Sequence, residues 1–381
     1  MPLSGIEKQG APLNNQIELC IFGKGFGECI TIHLGNNQWV IIDSFLNFAT
    51  KRPIALEYLE SLSVDASRNV CLVVATHWHD DHIRGIYEIV KKADNARFVC
   101  SQALTNCEFQ KFVKRHQTNL MTSVGSKVDE INNIFEFFLS KPENRKYKNP
   151  CMASEGKILF ELLEPNNSIP LGCKILSLSP SDADVFNFMK NIANMMPENN
   201  TPKRSAKRIS ENQASVVMHV GYGNICLLLG SDMENNHDID SGWDAIINSD
   251  VFSLQKSVIY KVPHHGSVTG HNDRIWEGLL LESPLSVVTP FVNGRVQLPT
   301  KDQINSIMSK SLNLLATGLP SNVRNKKRDA SVEKEIKSAN IKLKPLGAGL
   351  GAIRLRSMPL TEAREECHWC VELFGSAVHL A

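Results

Sequence analysis

Val70-Cys-Leu-Val-Val-Ala75, followed at once by Thr76-His-Trp-His-Asp-Asp-His82, is the stretch on which the reading of this chain turns. The first six residues form a continuous apolar run. That pattern predicts a short strand buried on both faces, as in a parallel sheet. The residues after it gather three imidazoles and a carboxylate, His77, His79, Asp81 and His82, within six positions of a chain that has only twelve histidines. One turn at a strand end can direct His77 and His79 to one metal ion, and Asp81 and His82 to a second about 3.5–4 Å away. Nitrogen and oxygen donors without thiolate suit zinc, manganese or iron.

Working outward, strands are predicted at Gln16–Phe22, Glu28–Leu34 and Trp39–Asp43, the last a buried run that ends in an acid. Gly23, Gly25 and Gly27 lie between two strands, so they mark a hairpin rather than a dinucleotide-binding turn. Helices are expected at Pro53–Ser63 and Ile83–Ala93, with a strand at Phe98–Ser101. Further strands follow at Lys157–Leu163, Lys174–Leu178, Ala214–Val220, Ile225–Leu229, Val258–Val262, Leu285–Thr289, Asn313–Thr317 and Gly351–Arg356, with a helix at Asp302–Lys310. Mostly polar, helical insertions interrupt this pattern at about 104–150 and 182–211. Two groups of strands, each interleaved with helices, predict an α/β chain built as a four-layer αββα sandwich. The expected domain spans 1–357, with 358–381 as a C-terminal tail.

Other candidate residues also fall just past strand ends, where rigid scaffolds usually place chemistry. They are Asp43 in WVIID, Asp232 in LLLGSD and His265 in VPHHGS. Taken in order with the histidine cluster, they resemble the metallo-β-lactamase superfamily over roughly residues 16–320. The resemblance implies metal ligands at His77, His79, Asp81, His82, Asp232 and His265, with Asp232 bridging two ions. It makes Asp43 a supporting carboxylate, of the kind that orients metal-bound imidazoles. Asn212-Gln-Ala-Ser215, KVPHHGS, SVVTP and the helix beginning at Pro299 are most similar to the hydrolase domain of competence ComEC-type proteins. Two departures stand out. The membrane helices of those channels are missing, and Leu298-Pro299 replaces their histidine-proline. Neither this chain nor the ComEC-type pattern has an evident third histidine for the first metal. His116, within FVKRHQ, reads as a surface residue, and Asn212 and Ser215 are expected to line the site instead.

Several residues have competing readings. His264 and Ser267 are candidates for stabilising developing charge, with Asp81 at the reacting centre; Ser267 and Thr269 serve equally well as turn residues. Trp78 is expected to pack rather than stack on a base, and His33 and His219 to be core or sheet-face histidines. His271 is close enough in sequence to reach the site.

Net charge is +1, with 42% hydrophobic and 21% charged residues, so no global field marks a nucleic-acid or membrane binder. No apolar run is long enough to span a bilayer, and MPLSGIEKQGAPLNN does not read as a secretory signal. Most of the ten cysteines lie in apolar runs, which predicts reduced thiols and a cytoplasmic location. Cys367-His-Trp-Cys370 lacks a partner pair for a zinc knuckle. Local basic stretches occur at 141–148, 203–208 and 324–328. Cations there, with Lys203, Arg204, Lys207 and Arg208 foremost, would follow a polyanion past the site.

The resemblance therefore implies a phosphodiesterase or nuclease acting on DNA or RNA through a metal-bound hydroxide, with one or two zinc or manganese ions. A role against foreign DNA is one setting for such an enzyme. Two alternatives stay open: hydrolysis of a lactone, thioester or β-lactam, and a non-catalytic binding or regulatory subunit. Fold alone does not choose among them.

Overall fold

Side-chain alternation along the N-terminal strands sets up the layers. In Glu18–Gly23, Leu19 and Ile21 join a core between two sheets, whereas Cys20 and Phe22 face a second core under helices. The computed structural model describes residues 5–23, 25–105, 109, 125–140, 143–162, 172–195, 211–236, 238–249, 254–319, 330–339, 350–360 and 368–380.

In chain order the strands are β1 (Glu18–Gly23), β2 (Glu28–His33), β3 (Trp39–Ile42), β4 (Val70–Ala75), β5 (Arg97–Ser101), β6 (Cys151–Ala153), β7 (Lys157–Leu162), β8 (Cys173–Ser177) and β9 (Met218–Tyr222). They continue as β10 (Ile225–Leu229), β11 (Ser257–Lys261), β12 (Leu280–Val288), β13 (Phe291–Asn293), β14 (Val296–Leu298), β15 (Asn313–Ala316), β16 (Gly351–Ser357), β17 (Trp369–Gly375) and β18 (Val378–His379). One eight-stranded sheet has the order β17-β16-β1-β2-β3-β4-β5-β6, the other β18-β15-β12-β11-β10-β9-β8-β7. Leu72, Val74, Ile175, Val220, Leu227 and Ile259 meet between them. Each such buried aliphatic side chain contributes about 1.5–3 kcal/mol of burial free energy. Helices cover both outer faces, Ile54–Ser61, Ile86–Lys92 and Gly125–Leu139 on one side, Gly242–Asn248, Asp273–Gly278 and Lys301–Met308 on the other. The expected four-layer arrangement of a metallo-β-lactamase fold is therefore present.

Strands β3 and β4 run parallel, as do β10, β11 and β12. Their carboxyl ends carry the loops that hold Asp43, the histidine cluster, Asp232 and His265. Gly230 closes the gap there. A Cβ at this position would stand 2.9 Å from the Lys261 carbonyl and from Pro263, so only glycine lets the ends of β10 and β11 approach so closely.

Two expectations need correction. The range 358–381, expected as a tail, includes two strands paired into the domain: β17 pairs along the whole of β16, and β18 pairs with β15. The alternation of β17 is masked at sequence level because its exposed face carries the apolar residues Val371 and Leu373. The insertions are also not merely polar. Ile131, Ile134 and Phe138 of one helix, and Phe188 and Ile192 of Asp182–Met195, lie in the outer core. Within the basic stretch 141–148, Arg145 points inward. It donates to the carbonyls of Val90 and Ala96 and lies over Phe138 at 5.1 Å. The stretches 203–208 and 324–328, with His116 and Cys367, lie outside the described residues. Among the described residues no helix is long and apolar enough to cross a membrane, and every described cysteine is a free thiol.

Candidate metal centre

The segment after β4 has no regular structure from Thr76 to His79, is extended at His79, and then makes one helical turn at Asp80–Ile83. This change of backbone brings His77 and His79 to one side of the loop and Asp81 and His82 to the next. Trp78 anchors the loop as expected, buried edge-to-face against Phe109 at 4.9 Å and near Phe188.

Three donor groups result among the described residues, with ligand atoms all within 4.8 Å of one another in each; in the group of Asp43, His77 and His82 the carboxylate is already hydrogen-bonded to His82 Nδ1, and two groups face the centre. One comprises His77, His79 and Asp232; the other comprises Asp81, His82, Asp232 and His265. Asp232 is common to both, the placement expected of a bridging carboxylate. Its Oδ2 lies 3.8 Å from His77 Nε2 and 3.5 Å from His265 Nε2, and its Oδ1 lies 3.4 Å from His82 Nε2. Asp81 Oδ2 lies 3.3 Å from His265 Nε2.

The far side of each ring explains why these nitrogens face inward. His82 Nδ1–H donates to Asp43 Oδ2 at 2.8 Å. Thr76 donates to Asp43 through its amide at 2.8 Å and its hydroxyl at 2.7 Å, and the same hydroxyl oxygen stands 3.0 Å from His77 Nδ1. His265 Nδ1 meets the Thr289 carbonyl at 3.1 Å. With Nδ1 of each ring carrying the proton, Nε2 presents a lone pair to the centre. The Nε2 atoms of His77, His82 and His265, and Asp232 Oδ1, are buried without a hydrogen bond. Buried polar atoms in native proteins are nearly always satisfied. Four such atoms, spread over the two donor groups that share Asp232, fit divalent cations.

Electrostatics agree. Burial holds His77 well below its ordinary range, with His82 adding to the effect. Burial opposes charge on His82, but Asp232 and Asp81 outweigh it and raise the ring well above the usual histidine range. His265 is likewise raised against burial, chiefly by Asp232. Asp232 and Asp81 are both held below the ordinary carboxylate range despite burial, by His265 and His82 for the first and by His82 and then His265 for the second. The centre therefore concentrates negative potential that cations satisfy.

Backbone conformation adds strain at the same places. Asp43, Ser231, His264 and His265 all have positive φ (58°, 48°, 45° and 53°) without being glycine. Such conformations persist when surrounding structure over-determines them, and they cluster at functional sites.

The remaining candidates divide. Asn212 Nδ2 lies 3.2 Å from His264 Nε2, and the Ser215–Val216 segment is tied to the histidine loop by the Val216 amide donating to the Thr76 carbonyl. His264 stands at the rim with its side chain 19% exposed, Nδ1 being 2.9 Å from Glu234 Oε1 and 3.0 Å from Thr269 Oγ1. Ser267 adopts its turn role, its hydroxyl accepting from the Thr269 amide at 3.3 Å. His271 turns to Asp273 at 3.1 Å and joins neither donor group. His33 and His219 are buried sheet histidines, bonded to the carbonyls of Gln16 and Gln255. Sequence reasoning missed Thr76, Thr289, Glu234 and Glu28. Thr76 and Glu234 had a usable signal, since each stands within two residues of a ligand.

Residues 23–110 match the family model described as the metallo-beta-lactamase superfamily. No curated protein sequence matches the chain. Among solved structures, one similar chain is the metallo-beta-lactamase fold protein YhfI from Bacillus subtilis, at 10% identity and TM-score 0.32, covering 65% of this chain and 70% of that one. Another is a putative metal-dependent hydrolase from Parabacteroides distasonis, at 12% identity and TM-score 0.33, covering 77% and 88%. A third is a point mutant of the CmlA beta-hydroxylase, at 10% identity and TM-score 0.35, covering 80% of this chain and 45% of that one.

Proposed function

We propose that this metallo-β-lactamase-type fold is a metal-dependent hydrolase that cleaves phosphodiesters in DNA or RNA. The observation that carries the hydrolytic part is the sharing of Asp232 between two adjacent donor groups. Such a pair of sites, when loaded, supplies Lewis acidity on both sides of a scissile bond and a deprotonated water at neutral pH. His77, His79 and Asp232 would hold one ion, and Asp81, His82, Asp232 and His265 the other. Zinc and manganese both suit these donors.

The chain's own residues would do the rest. Asp43 and Thr76 keep His82 and His77 turned toward the ions. His264, fixed at Nδ1 by Glu234, offers its other ring edge at the rim beside Asn212. In its imidazolium form its Nε2–H can donate to a nonbridging oxygen there as negative charge develops. Ser267 lies on the same loop, three residues from His264, and a phosphate oxygen is within its chemical repertoire. The phosphodiester reading is supported by the ComEC-type run Asn212-x-x-Ser215 with KVPHHGS, and by Lys203, Arg204, Lys207 and Arg208 between the last insertion helix and Asn212.

The test is a substrate panel with purified protein and added zinc or manganese: single- and double-stranded DNA, RNA, a bis-aryl phosphodiester and a lactone. Cleavage of a nucleic acid and of the bis-aryl ester is expected. Efficient lactone hydrolysis with every phosphodiester left intact would overturn the substrate assignment and favour a small carbonyl substrate.

A further inference from the structure

We infer that Glu28 and Lys261 form a buried ion pair that positions His265 for the second metal ion, acting through Thr289. The inference rests on the metal-centre reading above. Glu28 opens β2 in one sheet, and Lys261 closes β11 in the other. Lys261 Nζ stands 2.8 Å from Glu28 Oε2, with both side chains at most 2% exposed. The ammonium also donates to the Val262 carbonyl at 3.0 Å. The pair therefore bridges the two sheets directly beneath the loop that carries His264 and His265.

Thr289 follows β12 and links this pair to the ligand. Its hydroxyl donates to Glu28 Oε2 in a short hydrogen bond. A hydroxyl has one proton, so the same oxygen, 3.3 Å from His265 Nδ1, can only accept from that ring. The Thr289 carbonyl, at 3.1 Å, accepts as well. Both acceptors demand a proton on Nδ1, which leaves the Nε2 lone pair facing Asp81 and Asp232. Glu28 Oε2 lies 3.9 Å from the same Nδ1. Left alone it would be a fourth buried carboxylate near the centre, after Asp43, Asp81 and Asp232, and Lys261 balances its charge.

Stability does not account for the pair. Taking two charges out of water costs several kcal/mol per ion, and well-packed apolar replacements of buried pairs are often neutral or stabilising. What an apolar pair cannot supply is a fixed acceptor that commits the Thr289 hydroxyl. His265 needs such a tether, because its positive φ sets the backbone and not the rotation of the ring.

Two variants of the full chain separate positioning from packing. Glu28→Leu with Lys261→Met removes both charges and keeps apolar volume. Thr289→Val removes only the hydroxyl. Each is compared with wild type by chelator competition for zinc, by the cobalt(II) absorption spectrum, and by thermal unfolding of the metal-free protein. Wild type should bind two ions. The double variant should unfold at or above the wild-type temperature, bind the second ion about tenfold to a hundredfold more weakly and show an altered cobalt spectrum. Thr289→Val should shift the second affinity in the same direction, and it decides alone if the double variant does not fold. Wild-type affinity and spectrum in Thr289→Val, or in both variants, would overturn the inference. A wild-type protein that binds no metal would instead sink the metal-centre reading beneath it.

Discussion

Asp43 Oδ2 lies 2.8 Å from His82 Nδ1, at the end of β3 and at a positive φ of 58°. The same carboxylate takes the Thr76 amide and hydroxyl, so one acid orders both the loop backbone and a ligand ring. Burial raises its proton affinity, and the His82 and Thr76 hydrogen bonds oppose that.

Asp43→Asn tests this arrangement. An asparagine offers one acceptor oxygen to three donors and turns an amide toward one of them. Metal affinity should fall about tenfold to a hundredfold. Leaving one buried donor unsatisfied should cost about 1–3 kcal/mol of stability. Zinc titration against a chelator and thermal unfolding measure the two effects, and unchanged affinity would show that Asp43 supports the loop but not the ring.

Asp232 and the Asp81–His82 pair should differ in what they empty. Asp232→Asn keeps shape but removes a charge shared by both donor groups, so it should lower occupancy of both sites together with the hydrolytic rate. Asp81→Ala with His82→Ala removes donors from one group only. It should leave about one ion bound, weakly, with hydrolysis abolished. Elemental analysis with a single-turnover rate resolves the two patterns. Full metal content and activity in Asp232→Asn would refute the bridging role.

Away from the centre, His33 should make the fold acid-sensitive. Burial lowers its pKa to about 4, with its hydrogen bond to the Gln16 carbonyl opposing that shift. The unfolded chain, titrating near 6.5, therefore takes up a proton that the folded ring refuses. Stability from this group is complete above about pH 6.5 and drains as pH falls toward 4, by about 3 kcal/mol at most. His33→Gln should be less stable than wild type at pH 7.5, and that gap should narrow or reverse at pH 5. Parallel pH profiles for the two proteins would exclude the mechanism.

The ligands were legible in the sequence because their chemistry demands rare residue types crowded at strand ends. His77, His79, Asp81 and His82 announce themselves within six positions, and Asp232 and His265 each terminate an apolar run. Asp43 was legible for the same reason, but the supporting residues Glu28, Lys261 and Thr289 were not. Glu28 opens an alternating strand, where an acid reads as a solvated end, and only the other sheet, far away in sequence, supplies Lys261 and Thr289. Cross-sheet partners leave no local period to detect. The same limit applies to β17, whose pairing with β16 depends on a neighbouring strand rather than on its own pattern. Arg145 shows the converse. A basic stretch reads as solvated, yet its guanidinium finds two carbonyls and an aromatic face inside.

The substrate is tested by the basic run before Asn212. A phosphodiester chain long enough to pass the rim would meet Lys203, Arg204, Lys207 and Arg208 beyond the scissile bond, where cations bind phosphates without reading bases. Neutralising all four to glutamine should weaken nucleic-acid binding across sequences and flatten the dependence of log affinity on log salt, since fewer counterions are released. The slope should fall by roughly 0.7–0.9 for each phosphate that no longer meets a cation, according to strandedness. On that reading a bis-aryl phosphodiester would reach only the ions and the rim around His264, so its kcat/KM should stay within about twofold of wild type. Salt-titrated binding of a single-stranded and a double-stranded oligonucleotide, alongside that small-substrate rate, makes the comparison. Equal loss on both substrates would assign the run to the fold. An unchanged salt slope would remove it from the nucleic-acid path.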